Sequence, residues 1–263
     1  MELIVYIFIF LFGLAVGSFL NCLIYRLEIG EKPTGSSFCP SCKHDLSAKD
    51  LFPVFSYIFL KGKCRYCGEK ISIQYPLVEV FTGVIFLAAL LFLSVPYSYL
   101  EAARVVLTLI IFSLLVVVFV YDLKHFIIPN KVIYPAIGAA FLLALMEGIT
   151  LESFFTFLNY IIVGVAFFAF FLAIYLLTKG KGIGFGDVRY AFFMGLFLGF
   201  PEVLVGLFLS FVIGAIIGVA LIIFGSKGRK DMIPFGPFLV LGTTIAYLWG
   251  SQLIEIYLDL ILL

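Results

Sequence analysis

Two aspartates stand at the edges of long apolar runs in this sequence. Asp122 ends one run, and Asp187 follows the glycine-rich stretch Gly182-Ile-Gly-Phe-Gly186 and opens another. A carboxylate is costly in a bilayer, so an acid at such an edge calls for a functional explanation. Two neighbouring carboxyl groups cannot both ionise readily, so one keeps a proton while the other acts as a base. Such a pair activates water against a peptide carbonyl without a metal, which makes Asp122 and Asp187 candidate catalytic residues.

Each aspartate also has a simpler interpretation. Asp187 suits the N-terminus of a helix, where an acid caps the backbone, whereas Asp122 ends a helix, where the dipole disfavours an anion. Gly184 and Gly186 remove side chains where an extended substrate would approach, and we expect them to bind its backbone. A phosphate loop is a poor alternative, because the stretch lacks the Walker lysine pattern.

Four cysteines form two pairs, Cys39-Pro-Ser-Cys42 and Cys64-Arg-Tyr-Cys67. By this spacing two tight turns each offer two thiolates to one tetrahedral zinc ion, although the 21 residues between the pairs are slightly more than usual. Gly68 follows the second pair and suits a turn that needs a positive φ. Two disulfides or free thiols are the alternatives. Four thiolates leave no open position on the metal, so a zinc ion here would be structural.

The composition indicates a membrane protein. Of the 263 residues, 63% are hydrophobic and 13% are charged, and the mean hydropathy is +1.20. A net charge of +1 gives no reason to expect a nucleic-acid partner. We predict an all-α membrane protein with about eight transmembrane helices, since a span needs about 20 apolar residues. The predicted helices cover residues 2–24, 76–95, 101–121, 130–147, 154–178, 187–200, 203–225 and 235–262.

The basic residues predict the orientation of the chain. With the N-terminus outside, 16 of the 17 Lys and Arg residues fall on cytoplasmic segments, and only Arg104 lies at an outer end. The cysteine loop then faces the reducing cytoplasm, which favours zinc over disulfides. We divide the chain into a first span (1–26), a cytoplasmic zinc-binding loop domain (27–75) and a transmembrane peptidase domain (76–263).

Several motifs, in the same order, resemble those of the type IV prepilin peptidase family, and the likeness covers nearly the whole chain. Gly184-Phe-Gly-Asp187 is similar to the Gly-x-Gly-Asp signature of this clan of aspartyl proteases. Arg189 stands where the family often has Lys and keeps the charge. The other matching motifs are Gly17-Ser-Phe-Leu-Asn21 with Tyr25-Arg26, the two cysteine pairs, Asp50-Leu-Phe-Pro-Val-Phe-Ser-Tyr57, Tyr75-Pro-Leu-Val-Glu79 and Pro234-Phe-Gly-Pro-Phe238.

The resemblance implies an enzyme of the bacterial inner membrane that cleaves prepilins or pseudopilins on the cytoplasmic side. It also implies that the new N-terminus is methylated from S-adenosylmethionine. Glu79, an acid at the edge of the second span, is then a candidate contact for the substrate amine. Snorkelling of the side chain to the interface is the alternative for Glu79.

Two other classes of function compete with a protease. A proton-coupled transporter also uses acids in the membrane, but it predicts acids deep in several spans and repeat symmetry, and the sequence shows neither. A scaffold assembled through the zinc loop predicts that substitution of the cysteines abolishes partner recruitment and that substitution of the aspartates has no effect.

Overall fold

The computed structural model describes residues 2–32, 34–93, 95–225, 228 and 231–262. Three of the basic residues used to predict the orientation in the membrane, Lys227, Arg229 and Lys230, lie outside this part of the chain. The described residues form nine α-helices and no extended strand, which confirms the all-α fold class. The helices are α1 (Glu2–Glu28), α2 (Phe55–Phe59), α3 (Gln74–Leu93), α4 (Tyr99–His125), α5 (Asn130–Thr150), α6 (Phe154–Leu177), α7 (Phe185–Leu198), α8 (Glu202–Ile223) and α9 (Gly236–Leu262).

Seven of the described helices are long and apolar enough to cross a membrane, and all seven match predicted spans. The remaining predicted span, residues 187–200, corresponds to α7, which has only 14 residues. At 1.5 Å per residue it measures about 21 Å, less than the ~30 Å of hydrocarbon in a bilayer. The glycine-rich stretch before α7 and the Gly199-Phe-Pro201 turn after it set this length. The helix predicted there exists, but it is too short to cross alone.

The chain divides into two compact units, Met1–Tyr97 and Ser98–Leu263. In the first unit α1 and α3 pack closely through small residues. A Cβ on Gly13 would lie 2.7 Å from the Cα of Gly83, and one on Gly17 would lie 2.6 Å from the Cα of Glu79. Glycines four residues apart let helices approach in lipid, where no hydrophobic force drives them together. The packing places α3 with α1 and the cysteine loop, whereas the division predicted from the sequence assigned residues 76–97 to the peptidase domain.

In the second unit α7 is a central element surrounded by longer helices. It packs against α5, α6 and α9, and Val188, Tyr190, Phe193 and Met194 are fully buried. The Tyr190 hydroxyl donates to Oγ1 of Thr243 on α9 at 3.1 Å. Burial of nearly the whole helix fixes the position of its N-terminus, where Asp187 lies.

Candidate active site and metal centre

Asp122 lies in the last turn of α4 and is buried, with 4% of its surface exposed. Its Oδ2 accepts a hydrogen bond of 2.9 Å from the backbone N–H of Gly236, the first residue of α9. The first N–H groups of a helix have no partner within the helix and favour negative charge. The N-terminus of α9 therefore stabilises a carboxylate whose own helix end does not.

Asp187 lies in the first turn of α7 and is half-buried. Its Oδ2 accepts a hydrogen bond of 3.0 Å from the backbone N–H of Gly184, the residue that precedes the helix. This is the capping geometry that the sequence offered as the alternative for Asp187. Each aspartate is thus held by a backbone N–H at a helix N-terminus, and capping leaves the second oxygen of each carboxyl group available for chemistry.

The two aspartates lie at the same end of the second unit. The carboxyl groups are close enough to interact electrostatically. Helices α5 and α9 each pack against both α4 and α7, the helices that carry the two aspartates. The turn after α4 contributes directly, because a Cβ on Gly186 would lie 3.1 Å from the Cβ of Ile128. Close packing of Gly186 on Ile128 brings the start of α7 to the end of α4.

The two glycines expected to bind substrate differ in their surroundings. Gly184 is exposed, and the only side chain that an added Cβ would meet is that of Asp187, at 3.5 Å. Gly186 packs against Ile128 and has a structural reason to lack a side chain. Neither has a positive φ; in the loop before α7 that conformation occurs at Lys179 and Gly180. An approaching backbone would therefore find open space at Gly184 rather than at Gly186.

Two further residues support the site. Gly236 belongs to the Pro234-Phe-Gly-Pro-Phe238 motif, whose role the sequence did not reveal, and a Cβ there would lie 2.5 Å from Oδ2 of Asp122. Arg189, one turn after the N-terminus of α7, hydrogen-bonds to Oδ1 of Asn130 at the start of α5. Its guanidinium also lies over the Phe185 ring, 4.5 Å from the centroid. These contacts fasten α7 to α5 beside Asp187.

The four paired cysteines come together in the first unit. Their Sγ atoms all lie within 4.8 Å of one another, and those of Cys39 and Cys67 are 3.9 Å apart. A tetrahedral zinc with Zn–S bonds of about 2.3 Å requires sulfur atoms ~3.8 Å apart. None of the four is in a disulfide. The cluster therefore fits a single tetrahedral metal ion, and His44 packs on the ring of Tyr66 instead of joining it.

The two cysteine pairs have the same backbone fold. The N–H of Cys39 bonds to the carbonyl of His44, and the N–H of Cys64 bonds to that of Glu69. The residue after each pair has a positive φ, 59° for Lys43 and 75° for Gly68. The prediction for Gly68 is confirmed. Lys43 was missed, because a lysine gives no sequence signal for this conformation.

A hydrogen-bonded clamp ties the 21-residue linker between the pairs to the second pair. Arg65 Nε donates to Oδ1 of Asp50 at 2.6 Å, and the Tyr66 hydroxyl donates to Oδ2 at 3.0 Å. Desolvation favours the neutral acid, but the bonds from Arg65, Ser47 and Tyr66 outweigh it and lower the pKa of Asp50 to about 2. Asp50 therefore stays ionised at any physiological pH.

Glu79 is buried in the second turn of α3, with 6% of its surface exposed. Its Oε2 accepts a 2.7 Å hydrogen bond from the backbone N–H of Val54, and the Ser18 side chain also bonds to the carboxylate. Val54 has a φ of 63°, so this bond supports an unusual backbone turn in a bulky residue. Glu79 thus fastens the linker to the membrane helix.

Paired aspartates at one end of a bundle of apolar helices, in a chain that also carries a four-cysteine cluster, are the features of a multi-pass membrane peptidase of the aspartyl type. Comparison with protein families identifies it more closely. Residues 11–94 match the bacterial peptidase A24 N-terminal domain, and residues 109–219 match the type IV leader peptidase family. The chain belongs to the type IV leader peptidase family.

Curated relatives match along almost their whole length. A prepilin leader peptidase/N-methyltransferase of Bacillus subtilis is 31% identical, with 97% of this chain and 98% of the relative covered. Proteins of the same name from Aeromonas hydrophila and Legionella pneumophila are 30% and 31% identical. The matches cover 95% and 96% of this chain and 92% and 94% of those relatives. No solved structure matches.

Proposed function

We propose that this protein cleaves the short basic leader from type IV prepilins or pseudopilins and then methylates the new N-terminal amine. The observation that carries the proposal is the position of Asp122 and Asp187, which are close enough to interact electrostatically and are each held by one backbone N–H at a helix N-terminus. The names of the relatives support both activities. The distribution of basic residues supports an active site on the cytoplasmic face of the bacterial inner membrane.

In the proposed mechanism the two carboxyl groups share one proton. The ionised member takes a proton from water as it attacks the scissile carbonyl, and the protonated member donates to the carbonyl oxygen. The tetrahedral intermediate collapses when a proton passes to the departing amine. The acid and base roles belong to the pair, so neither is assigned to one residue.

The backbone bonds to the two aspartates position them for this chemistry. The bond from Gly236 occupies one oxygen of Asp122 and that from Gly184 one oxygen of Asp187, so each carboxyl group has a fixed plane. Preorganised groups in a site that excludes water lower the barrier more than mobile ones. Arg189 and Asn130 would maintain this arrangement by holding α7 against α5.

The proposed cofactors are a structural zinc ion and S-adenosylmethionine. Cys39, Cys42, Cys64 and Cys67 would hold zinc, which would supply folding free energy to a loop with little core of its own. S-adenosylmethionine would supply the methyl group for the new N-terminal amine of the pilin.

Two further residues, Gly184 and Glu79, are proposed to contact substrate. Gly184 offers open space for the substrate backbone, whereas Gly186 packs on Ile128 and is proposed to hold the start of α7 in place. Glu79 is proposed to bind the substrate amine through the acceptor positions that Val54 and Ser18 leave unoccupied.

Mass spectrometry of a prepilin with a basic leader tests the proposal. The substrate is incubated with the purified protein in lipid, with and without S-adenosylmethionine. We expect a mass loss equal to the leader in both samples and a methyl-sized gain only with the methyl donor. Cleavage without methylation would support the proposed peptidase activity and contradict the proposed methyltransferase activity.

The aspartates are tested separately with Asp122→Asn and Asp187→Asn. These substitutions keep size and the backbone hydrogen bond but remove the shared proton. We expect each to abolish cleavage while both variants insert and bind metal like the wild type. Glu101→Gln, at the other end of α4, is the matched control. Full processing by either aspartate variant would exclude the dyad.

A further inference from the structure

An apolar surface lies on α2 and the residues just before it. The α2 apolar face consists of Phe52, Phe55, Ile58 and Phe59, whose side chains are 60%, 47%, 62% and 80% exposed. Positions 55, 58 and 59 follow helical spacing, so their side chains share one side of α2. Phe52 precedes the helix, and its ring packs on that of Phe55 with the centroids 5.5 Å apart. A concentration of exposed aromatic side chains outside the membrane spans marks an interaction surface.

The bond between Val54 and Glu79 fixes the height of this surface relative to the membrane. Val54 immediately precedes α2, and its N–H donates to Glu79, in the second turn of α3. The 20 residues of α3 measure about 30 Å, as much as the hydrocarbon core of a bilayer. Glu79 lies five residues, or about 8 Å, from the N-terminal end of α3, so a helix that crosses the core places Glu79 and the start of α2 within about 8 Å of its boundary.

The charges around the α2 apolar face complement an anionic surface. Lys49, Lys61, Lys63 and Arg65 flank it in the sequence, and Asp50 is the one acid between positions 49 and 65. Lys49 and Arg65 lie at the edge of an open cavity of about 400 Å³ whose other walls include Phe52, Phe55 and Phe59. Aromatic side chains flanked by cations are the composition of segments that lie in the plane of a membrane interface.

We propose that the α2 apolar face inserts into the headgroup region of an anionic lipid bilayer and holds the cysteine domain flat against the membrane. The aromatic rings would lie at the acyl boundary, and the three lysines would contact lipid phosphates. The aromatic and basic side chains of this anchor are not among the residues proposed to contact substrate, although Glu79, which holds the start of α2, is. A partner protein is the other class of occupant for the same face.

A tryptophan reporter distinguishes lipid from water at this surface. The only native tryptophan is replaced by Trp249→Phe, and Phe59→Trp is introduced into the full chain in nanodiscs that contain phosphatidylglycerol. We expect brominated lipid to quench this reporter roughly threefold more than a Lys70→Trp control on the second cysteine pair, because interfacial helices bury their apolar face by about 5–10 Å. Acrylamide in water should show the opposite order.

Equal quenching of the two reporters by brominated lipid would overturn the proposal. A partner protein as the occupant predicts that result, since the face would then be in water when no partner is added. A Phe55→Trp reporter repeats the measurement if the change at Phe59 perturbs the loop, and retained zinc shows that the domain is folded. We expect stronger quenching of the reporter in anionic than in neutral lipid, and the combined changes Lys49→Gln, Lys61→Gln and Lys63→Gln should remove this difference. An unchanged difference would also overturn the proposal.

Discussion

The backbone N–H of Gly236 and the carboxylate of Asp122 form a 2.9 Å hydrogen bond between residues 114 positions apart. The bond joins the end of α4 to the beginning of α9, and the missing side chain of Gly236 makes the approach possible. Gly236 is therefore part of the candidate active site, although it has no side chain that could act as an acid, base or nucleophile.

Substitution of this glycine should damage catalysis more than folding. In Gly236→Ala the new Cβ would lie 2.5 Å from Oδ2 of Asp122, so the carboxyl group must move. Displacement of a catalytic group by about 1 Å can cost roughly 100-fold in rate, and we expect a loss of that order in prepilin cleavage, followed by mass spectrometry. Gly138→Ala is the control, because a Cβ there meets nothing within 4 Å. Equal activity of the two variants would contradict the role of the contact.

The cysteine cluster should bind one zinc ion per chain and keep its loop folded. Chelation or Cys64→Ser should expose Lys49, Lys61 and Lys63 to trypsin at least roughly tenfold faster, since metal binding and folding of such a small loop are coupled. Helical content by circular dichroism should change little, because most helices lie outside the loop. Cys22→Ser, within α1, should retain the metal. Metal analysis that finds no zinc in the wild type would refute the site.

The turn after the second cysteine pair should require glycine. Gly68→Ala places a side chain at a φ of 75°, which costs about 1 kcal/mol, so we expect roughly fivefold weaker zinc binding in a competition assay with a chromogenic chelator. Gly30→Ala is a matched control, with a φ of 73° and equally open surroundings but outside the cysteine pairs. If both variants bind zinc with the same affinity, backbone strain at Gly68 does not affect zinc binding.

Much of the fold was readable from the sequence, because runs of about 20 apolar residues bounded by charged loops specify helices in lipid. The candidate aspartates and the four cysteines were predicted from residue type and position, and the structure brings the cysteines together. The contacts that hold these residues were not predicted. The Gly236–Asp122 and Val54–Glu79 bonds join positions that are distant in the sequence. Their donors are backbone N–H groups, which every residue except proline has, so the residue types do not predict these bonds. The sequence predicted the short length of α7, as residues 187–200 against Phe185–Leu198 in the structure. Its burial among longer helices is the feature that a hydropathy count cannot detect.

The Asp50 clamp should depend on pH only in strong acid. The pKa of Asp50 is lowered in the fold to about 2, so its contribution to stability is complete above the unfolded value of about 3.9 and disappears as pH falls through the folded value. Asp50→Asn should therefore speed proteolysis of the loop equally at pH 7 and pH 5. Arg65→Gln should act in the same way, since Arg65 donates the shortest bond in the clamp. A mutant effect that already fades between pH 7 and pH 5 would contradict this account.

Gly184→Ala separates substrate contact from structure at the glycine-rich stretch. The added Cβ would meet only Oδ2 of Asp187, at 3.5 Å, an ordinary van der Waals distance, so we expect an unchanged thermal unfolding midpoint. If a substrate backbone passes this point, the methyl group should raise the KM for prepilin roughly tenfold and lower kcat much less, since it obstructs binding. Gly186→Ala provides the contrast, because its Cβ would press on Ile128 at 3.1 Å and should lower both stability and kcat. Unchanged KM in Gly184→Ala would remove Gly184 from the substrate path and leave it only the bond to Asp187.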